Sequence, residues 1–407
     1  MIGVEPAAGP DHHERQTRGK ARWVESACVL LYVLAACWSL QDAARHPANN
    51  WDMIGYIGAA LHREENDLVA VHRRTYAEVR THVSAAEFVE LTGVNPRRPF
   101  RDVVFRDPVA FAQQLPYYSV KPLYVSTIAL VARWSGSLVE ASQYVSLVCY
   151  ALLLVVLLLW WSPGNGRSLW LLVVAALLHV GTIPIRNVAS LATPDALSLL
   201  LLALAFFLLL RRSTTHASLA TAVIAVTARP DNIVLVLPLV AFVAFFAPLR
   251  WRIGIASAAG WTAVVVLVAS GTNWVCGGYR WSQVFYRGVL YTPAYPAKYV
   301  PTPLIQTYLQ ALTVAVRRMA TELPREIVVL LLGLGLSIGI FGAGGRNRIG
   351  AWVALLATSA MVGRILVYPC VEERYFFFSY LLIAYAAVDV TERLVDRPHL
   401  LPSARIR

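Results

Sequence analysis

The residues best suited to chemistry are ionisable groups that interrupt an apolar chain at a few places. Asp52 is the first, in Asn50-Trp51-Asp52-Met53-Ile54-Gly55-Tyr56, soon after an apolar run. On a helix, Asp52 and Tyr56 share a face. A carboxylate there can serve as a general base, beside a ring that packs on a sugar or a lipid. The same spacing suits an aspartate that caps an amphipathic helix. Lys121 precedes Pro122-Leu123-Tyr124, where apolar sequence resumes. Its ammonium either meets a phosphate or snorkels to the interface. Arg186 and Asp195 bracket a short connection, Arg229-Pro230-Asp231 breaks a later apolar run, and Glu372-Glu373-Arg374-Tyr375 opens the last one. Helix starts, turns and interfacial anchors account for each of these singly. Together they form a set of carboxylates (Asp52, Asp195, Asp231, Glu372, Glu373) and cations (Lys121, Arg186, Arg229, Arg374). Such groups at the ends of membrane spans are costly and usually have partners or functions.

Metal and redox motifs are weaker. Cys28, Cys37 and Cys149 lie in apolar runs, Cys276 and Cys370 lie near the ends of such runs, and no CxxC occurs. Buried thiols of this kind behave as small hydrophobes. His12 and His13 are adjacent near the N-terminus, and His179 stands alone in an apolar run as a packed histidine.

The elements that must hold these residues are membrane helices. Of 407 residues, 57% are hydrophobic and 15% charged, with mean hydropathy +0.55. A soluble domain carries roughly 25% charged residues. Apolar stretches near the length of a bilayer crossing recur, and alternating strands do not, so the expected class is an all-α polytopic membrane protein. About ten (9–12) spans are expected, with a long first external loop of amphipathic helices. The expected divisions are a cytoplasmic tail 1–22, a first span 23–40, an external loop 41–141 and a bundle 142–270. A second external segment 271–325, spans 326–390 and a cytoplasmic tail 391–407 follow. Met53, Tyr56, Ile57, Ala60 and Leu61 share one helical face, and Pro122–Trp134 reads as re-entrant or interfacial. The net charge of +12 gathers in clusters such as Arg211-Arg212 and Arg250–Arg252, which the positive-inside rule assigns to the cytoplasm. That orientation turns the candidate residues above toward the other face. The basic clusters point to membrane lipids as partners and away from nucleic acid.

Taken in this order, the features resemble the GT-C glycosyltransferases, most closely the protein O-mannosyltransferase and lipid A aminoarabinose transferase branch. Those enzymes have an aspartate soon after the first span, often followed by a tyrosine, as are Asp52 and Tyr56. Lys121-Pro122-Leu123 is similar to their Lys-Pro-Pro-Leu-like end of the loop. Arg186 with Thr193-Pro194-Asp195, Arg229-Pro230 and Arg374-Tyr375 resemble their later motifs. Met53 departs from an Asp-Glu pair found in many relatives, and a single proline follows Lys121.

The resemblance implies transfer of a sugar from a polyprenyl-phosphate donor to a glycan, lipid or protein acceptor, with inversion, at the non-cytoplasmic face of a cell membrane. It implies Asp52 as base, and Lys121, Arg186, Arg229 and Arg374 as ligands of the departing phosphate. Tyr56, Tyr124, Asp195 and Tyr375 would bind substrate, and the aromatic segment Trp274–Tyr299 would wall the cleft. Some relatives use a divalent metal ion, but no ligand cluster in this sequence assigns one. The alternatives are a lipid-linked glycan polymerase or ligase, and a transporter or flippase. The latter usually shows internal repeats, and none is visible here.

Overall fold

In lipid, backbone N–H and C=O groups must pair within their own segment, and helices of Leu, Val and Ala do so. The computed structural model describes residues 12–93, 99–161, 183–289, 292–299, 305–342 and 349–395. Among them every regular element is helical, apart from one isolated bridge between Ala48 and Leu191. Among the described residues four helices are long and apolar enough to cross a membrane: Trp23–Arg45, Leu138–Trp161, Ile255–Val275 and Ile349–Val367. At about 1.5 Å per residue each approaches or exceeds the hydrocarbon thickness of about 30 Å. Shorter apolar helices, Asp195–Leu210, Thr215–Ala228, Pro230–Phe246 and Phe377–Thr391, accompany them. Within the expected bundle 142–270, the apolar run 168–183 falls almost wholly outside the described residues.

Large rings lock the bundle. Trp160 lies 5.3 Å from Tyr385, and Phe206 lies 5.4 Å from Phe378. These contacts join Leu138–Trp161, Asp195–Leu210 and Phe377–Val395. The chain then breaks at Arg229, because residues before proline leave the helical region. Arg229 is extended (φ −148°, ψ 108°), and the helix Thr215–Ala228 stops there. Asn232 seals the break by donating to Ala225 O at 2.7 Å and Ser198 Oγ at 2.8 Å.

The segment after the first span folds into short helices, each started by a local signal. Asn50, Asp67 and Asp107 accept from backbone N–H groups at the starts of Trp51–Leu61, Leu68–His82 and Pro108–Ala112. Ser84 and Glu87 form a reciprocal capping box at Ala85–Thr92. These helices share a core of their own, with Met53, Ile57, Val71, Val79 and Phe111 at its centre. Leu68–His82 is one-faced, burying Val71, Thr75, Tyr76 and Val79.

Trp51–Leu61 differs from the one-faced helix its periodicity suggests. Ile54, Gly55, Gly58 and Ala59 are buried as well. Two glycines explain this, since they let the following segment close on the second face. A Cβ at Gly55 would stand 2.2 Å from the Tyr118 ring, and one at Gly58 2.5 Å from Phe111.

Gly55→Ala should therefore push Tyr118 out of place and cost about 1–3 kcal/mol, as overpacking does. Thermal unfolding in detergent checks this against Gly271→Ala, where the new methyl meets nothing within 4 Å. Equal melting temperatures for the two variants would disprove the close seating of Tyr118.

Candidate active site

The breaks and helix ends just described converge on one cavity of about 860 Å³. Trp51–Leu61 contributes Asp52 and Tyr56, and the stretch after it contributes Tyr117, Tyr118 and Lys121. Asp195 comes from the start of the helix Asp195–Leu210, and Arg229 and Asp231 from the proline break. Arg287 lies on Trp281–Val289, Arg364 on Ile349–Val367, and Glu372, Arg374 and Tyr375 on the turn before Phe377–Val395.

Apart from Arg101, which donates to Glu90 O at 3.1 Å and lies over the Trp51 ring, the charges lining this cavity fall into two groups. In the first, cations are matched by carboxylates. Arg374 donates to Glu372 at 2.6 Å, Asp52 at 3.2 Å and Asp195 at 3.4 Å. Arg229 donates to Asp231 at 2.8 Å and pairs with Asp195, while Arg364 pairs with Asp231. Thr193 Oγ1 donates to Asp195 at 2.7 Å. The Tyr375 ring sits among the three guanidiniums, 4.2 Å from Arg364, 4.8 Å from Arg229 and 5.1 Å from Arg374. Its electron-rich face attracts each of them. Asp195 is 2% exposed, Arg364 6% and Arg229 9%, so the network is buried and must be paired.

In the second group, cations rest on phenols. Lys121 Nζ donates to Tyr56 OH at 2.7 Å and lies 5.0 Å from the Tyr56 ring centre. Arg287 donates to Tyr118 OH at 3.0 Å and covers the Tyr117 ring at 3.8 Å. Among the described residues neither cation has a carboxylate within ion-pair distance. Burial is the largest influence on Lys121 and lowers its pKa. Asp52 pulls it up, Arg229, Arg287 and Arg374 push it down, and the result is about 7.

Asp52 stands between the groups. Its Oδ2 accepts from Arg374 and its Oδ1 from Tyr118 OH at 3.4 Å. Burial raises its pKa, but attraction to Arg374, Lys121 and Arg287 and the Arg374 hydrogen bond outweigh burial, so the carboxyl is held below its ordinary value. It is ionised at neutral pH and can accept a proton.

Of the residues singled out in the sequence, Asp52, Tyr56, Lys121, Asp195, Arg229, Arg374 and Tyr375 all line this cavity. Tyr124 does not. It is fully buried behind Tyr56, their rings 4.9 Å apart and edge-on, because the helix Pro122–Ser135 turns it into the core. The backbone of Arg186 lies in Ile183–Ser190, and its side chain is outside the described residues. Glu373 pairs with Arg325 and is not part of the lining. Arg229 and Arg374, which the resemblance makes phosphate ligands, are engaged by carboxylates. Arg287, Arg364 and Tyr118 were not singled out. A lone arginine inside the apolar run 349–367 was the available signal for Arg364, since such a charge needs a buried partner. Tyr279, Trp281, Val284 and Thr292 line the cavity from the aromatic segment expected to wall it. Among the described residues no group of three or more His, Cys, Asp or Glu is placed to hold a metal ion.

No family model matches this chain, and comparison with curated proteins and with solved structures gave no match.

Lys121 should make anion binding pH-dependent. Its charge is present below about pH 7 and lost above it. For a lipid phosphodiester, whose own charge is constant over the range, affinity should fall on the order of tenfold between pH 6 and 8.5. Lys121→Arg, with a permanent charge, should flatten the profile. Microscale thermophoresis of purified protein measures both, and a flat wild-type profile would refute the role of Lys121.

Proposed function

We propose that this chain is a GT-C-like membrane glycosyltransferase. It moves a sugar from a polyprenyl-phosphate donor to an acceptor on the non-cytoplasmic face of a cell membrane, such as a bacterial inner membrane. The four long helices, the four shorter apolar ones, Pro324–Gly342 and the apolar run 168–183 make up about ten crossings. The first polar segment then lies outside, and the cavity opens on that side.

The observation that carries this reading is an ionised aspartate at the wall of a cavity whose cations outnumber its carboxylates. The lining holds Arg101, Lys121, Arg229, Arg287, Arg364 and Arg374 against Asp52, Asp195, Asp231 and Glu372. An anionic ligand is what such a surplus favours, and a lipid phosphate at a membrane face supplies it. The step follows from the positions. The acceptor hydroxyl or amine gives its proton to Asp52 as its oxygen or nitrogen bonds to the anomeric carbon. The bond from that carbon to the phosphate oxygen breaks, and its electron pair leaves with polyprenyl phosphate. Lys121 meets the charge that grows on that oxygen, the usual work of a fixed cation in phosphate departure. Arg374 holds the Asp52 carboxylate toward the cavity through their 3.2 Å contact. Attack opposite the leaving group inverts the anomeric centre.

Asp52→Asn should lower transfer by about 10²–10⁴-fold, the usual contribution of a positioned base, while donor binding persists. The test is release of labelled sugar from a panel of polyprenyl-phosphate hexoses and pentoses, run with membrane-extract acceptors. Full activity in Asp52→Asn would rule out this mechanism. Donor that is moved across vesicles without being consumed would favour a flippase.

A further inference from the structure

Two polar features of the cavity remain unused by this mechanism, and they touch each other. Arg287 has a half-buried guanidinium with no carboxylate partner within ion-pair distance among the described residues. Tyr118, 2% exposed, carries a hydroxyl shared by two charged groups. That hydroxyl accepts from Arg287 Nη2 at 3.0 Å and donates to Asp52 Oδ1 at 3.4 Å. The Tyr118 ring cannot drift away, because it lies in the slot left by Gly55. Lys121 Nζ stands over the same ring at 5.6 Å. The tyrosine thus links the open cations to the base.

We infer that Arg287 is a second ligand of the donor's phosphate, and that Tyr118 is a positioning residue that makes Asp52 respond to whether that phosphate is bound. This inference rests on the transferase reading above. Without donor, Arg287 polarises the Tyr118 hydroxyl and makes it a better donor across its long 3.4 Å contact to Asp52. Lys121 and Arg374 act in the same direction, and the base is weak. When a phosphate draws on Arg287 and Lys121, its negative charge offsets theirs at Asp52 and the polarisation of Tyr118 falls. The carboxylate becomes more basic at the moment an acceptor must lose its proton. The groups facing Asp52 are Tyr56 on its own helix, Tyr118 and Lys121 after it, Arg287, and Arg374 with Glu372 and Asp195 behind. Of these cations, Arg374 alone is held by carboxylates, so a phosphate changes the other two.

The coupling also orders the reaction: donor binds first, and the acceptor is deprotonated only afterwards. The bond changes are those of the transfer step, with the acceptor proton ending on Asp52.

Two measurements test this on the full-length protein in nanodiscs. The first is calorimetric titration with farnesyl phosphate. Arg287→Met should weaken binding about tenfold and Arg287→Lys should recover part of it, as expected for a charged contact. Equal affinity in wild type and Arg287→Met would overturn the phosphate role. The second compares the acid limbs of two pH profiles, donor kcat/KM for free enzyme and kcat for the donor complex. Wild type should show the limb at higher pH in the complex, by half a unit or more. Tyr118→Phe, which keeps the ring and removes the hydroxyl, should narrow that gap. Coincident limbs in wild type, or an unchanged gap in Tyr118→Phe, would refute the coupling. Loss of activity in Asp52→Asn alongside either of those results would leave the transferase standing and sink only the coupling. Full activity in Asp52→Asn would remove both.

Discussion

Burying three guanidiniums around one tyrosine ring is the constraint to which the rest of the molecule answers. Removing an ion from water costs several kcal/mol even after relaxation, and only close pairing offsets it. Arg229, Arg364 and Arg374 meet Asp195, Asp231 and Glu372, with Tyr375 between the cations. Those partners come from helices far apart in the chain. The network therefore fixes the start of Asp195–Leu210, the proline break, the span Ile349–Val367 and the turn before Phe377–Val395 relative to one another. Most members have two partners, Asp195 with Arg229 and Arg374 and Asp231 with Arg229 and Arg364, so the pairs tie these elements into one network.

That rigidity sets the edge of the cavity, and the polar helices complete it from the other side. Gly55 and Gly58 let the 108–120 segment close tightly on Trp51–Leu61. Tyr118 and Lys121 thereby come to Asp52 from a segment over sixty residues away. The second polar segment is strapped to the same region: Gln114 donates to Pro293 O and Ala294 O, and Tyr295 donates to Asp107 at 2.5 Å. The strap flanks the Trp281–Val289 helix and with it Arg287.

The site divides its charges by how they are compensated. Guanidiniums held by carboxylates build the wall, and cations resting on phenols stay available to an incoming anion. A tyrosine face stabilises a cation without neutralising it, which keeps Lys121 and Arg287 attractive to an anion while tolerably buried. The same arrangement holds Asp52 ionised and weakly basic.

The helical class and the presence of helices apolar enough to cross a membrane were legible in the sequence, because the lack of water in lipid leaves few ways to satisfy a backbone and composition alone reports it. The positions of the ionisable residues were legible too, since a charge in an apolar chain stands out by its cost: Asp52, Lys121, Asp195, Arg229 and Arg374 stood out as a set, though helix starts and interfacial anchors account for each singly. Their roles toward one another were not. Periodicity gave Trp51–Leu61 one buried face, and only packing against the glycines revealed the second. Tyr124, next to a promising Lys121-Pro122, turns into the core because the helix starting at Pro122 fixes its direction. Arg287 sits in an aromatic segment with no local pattern to mark it, and reaches Tyr118 across 169 residues of chain. Which cations are paired and which are open depends on contacts between distant segments, and such contacts have no period or spacing in the chain. The sequence determined what kinds of residues the membrane would force together, and the tertiary structure decided which of them remain free to act.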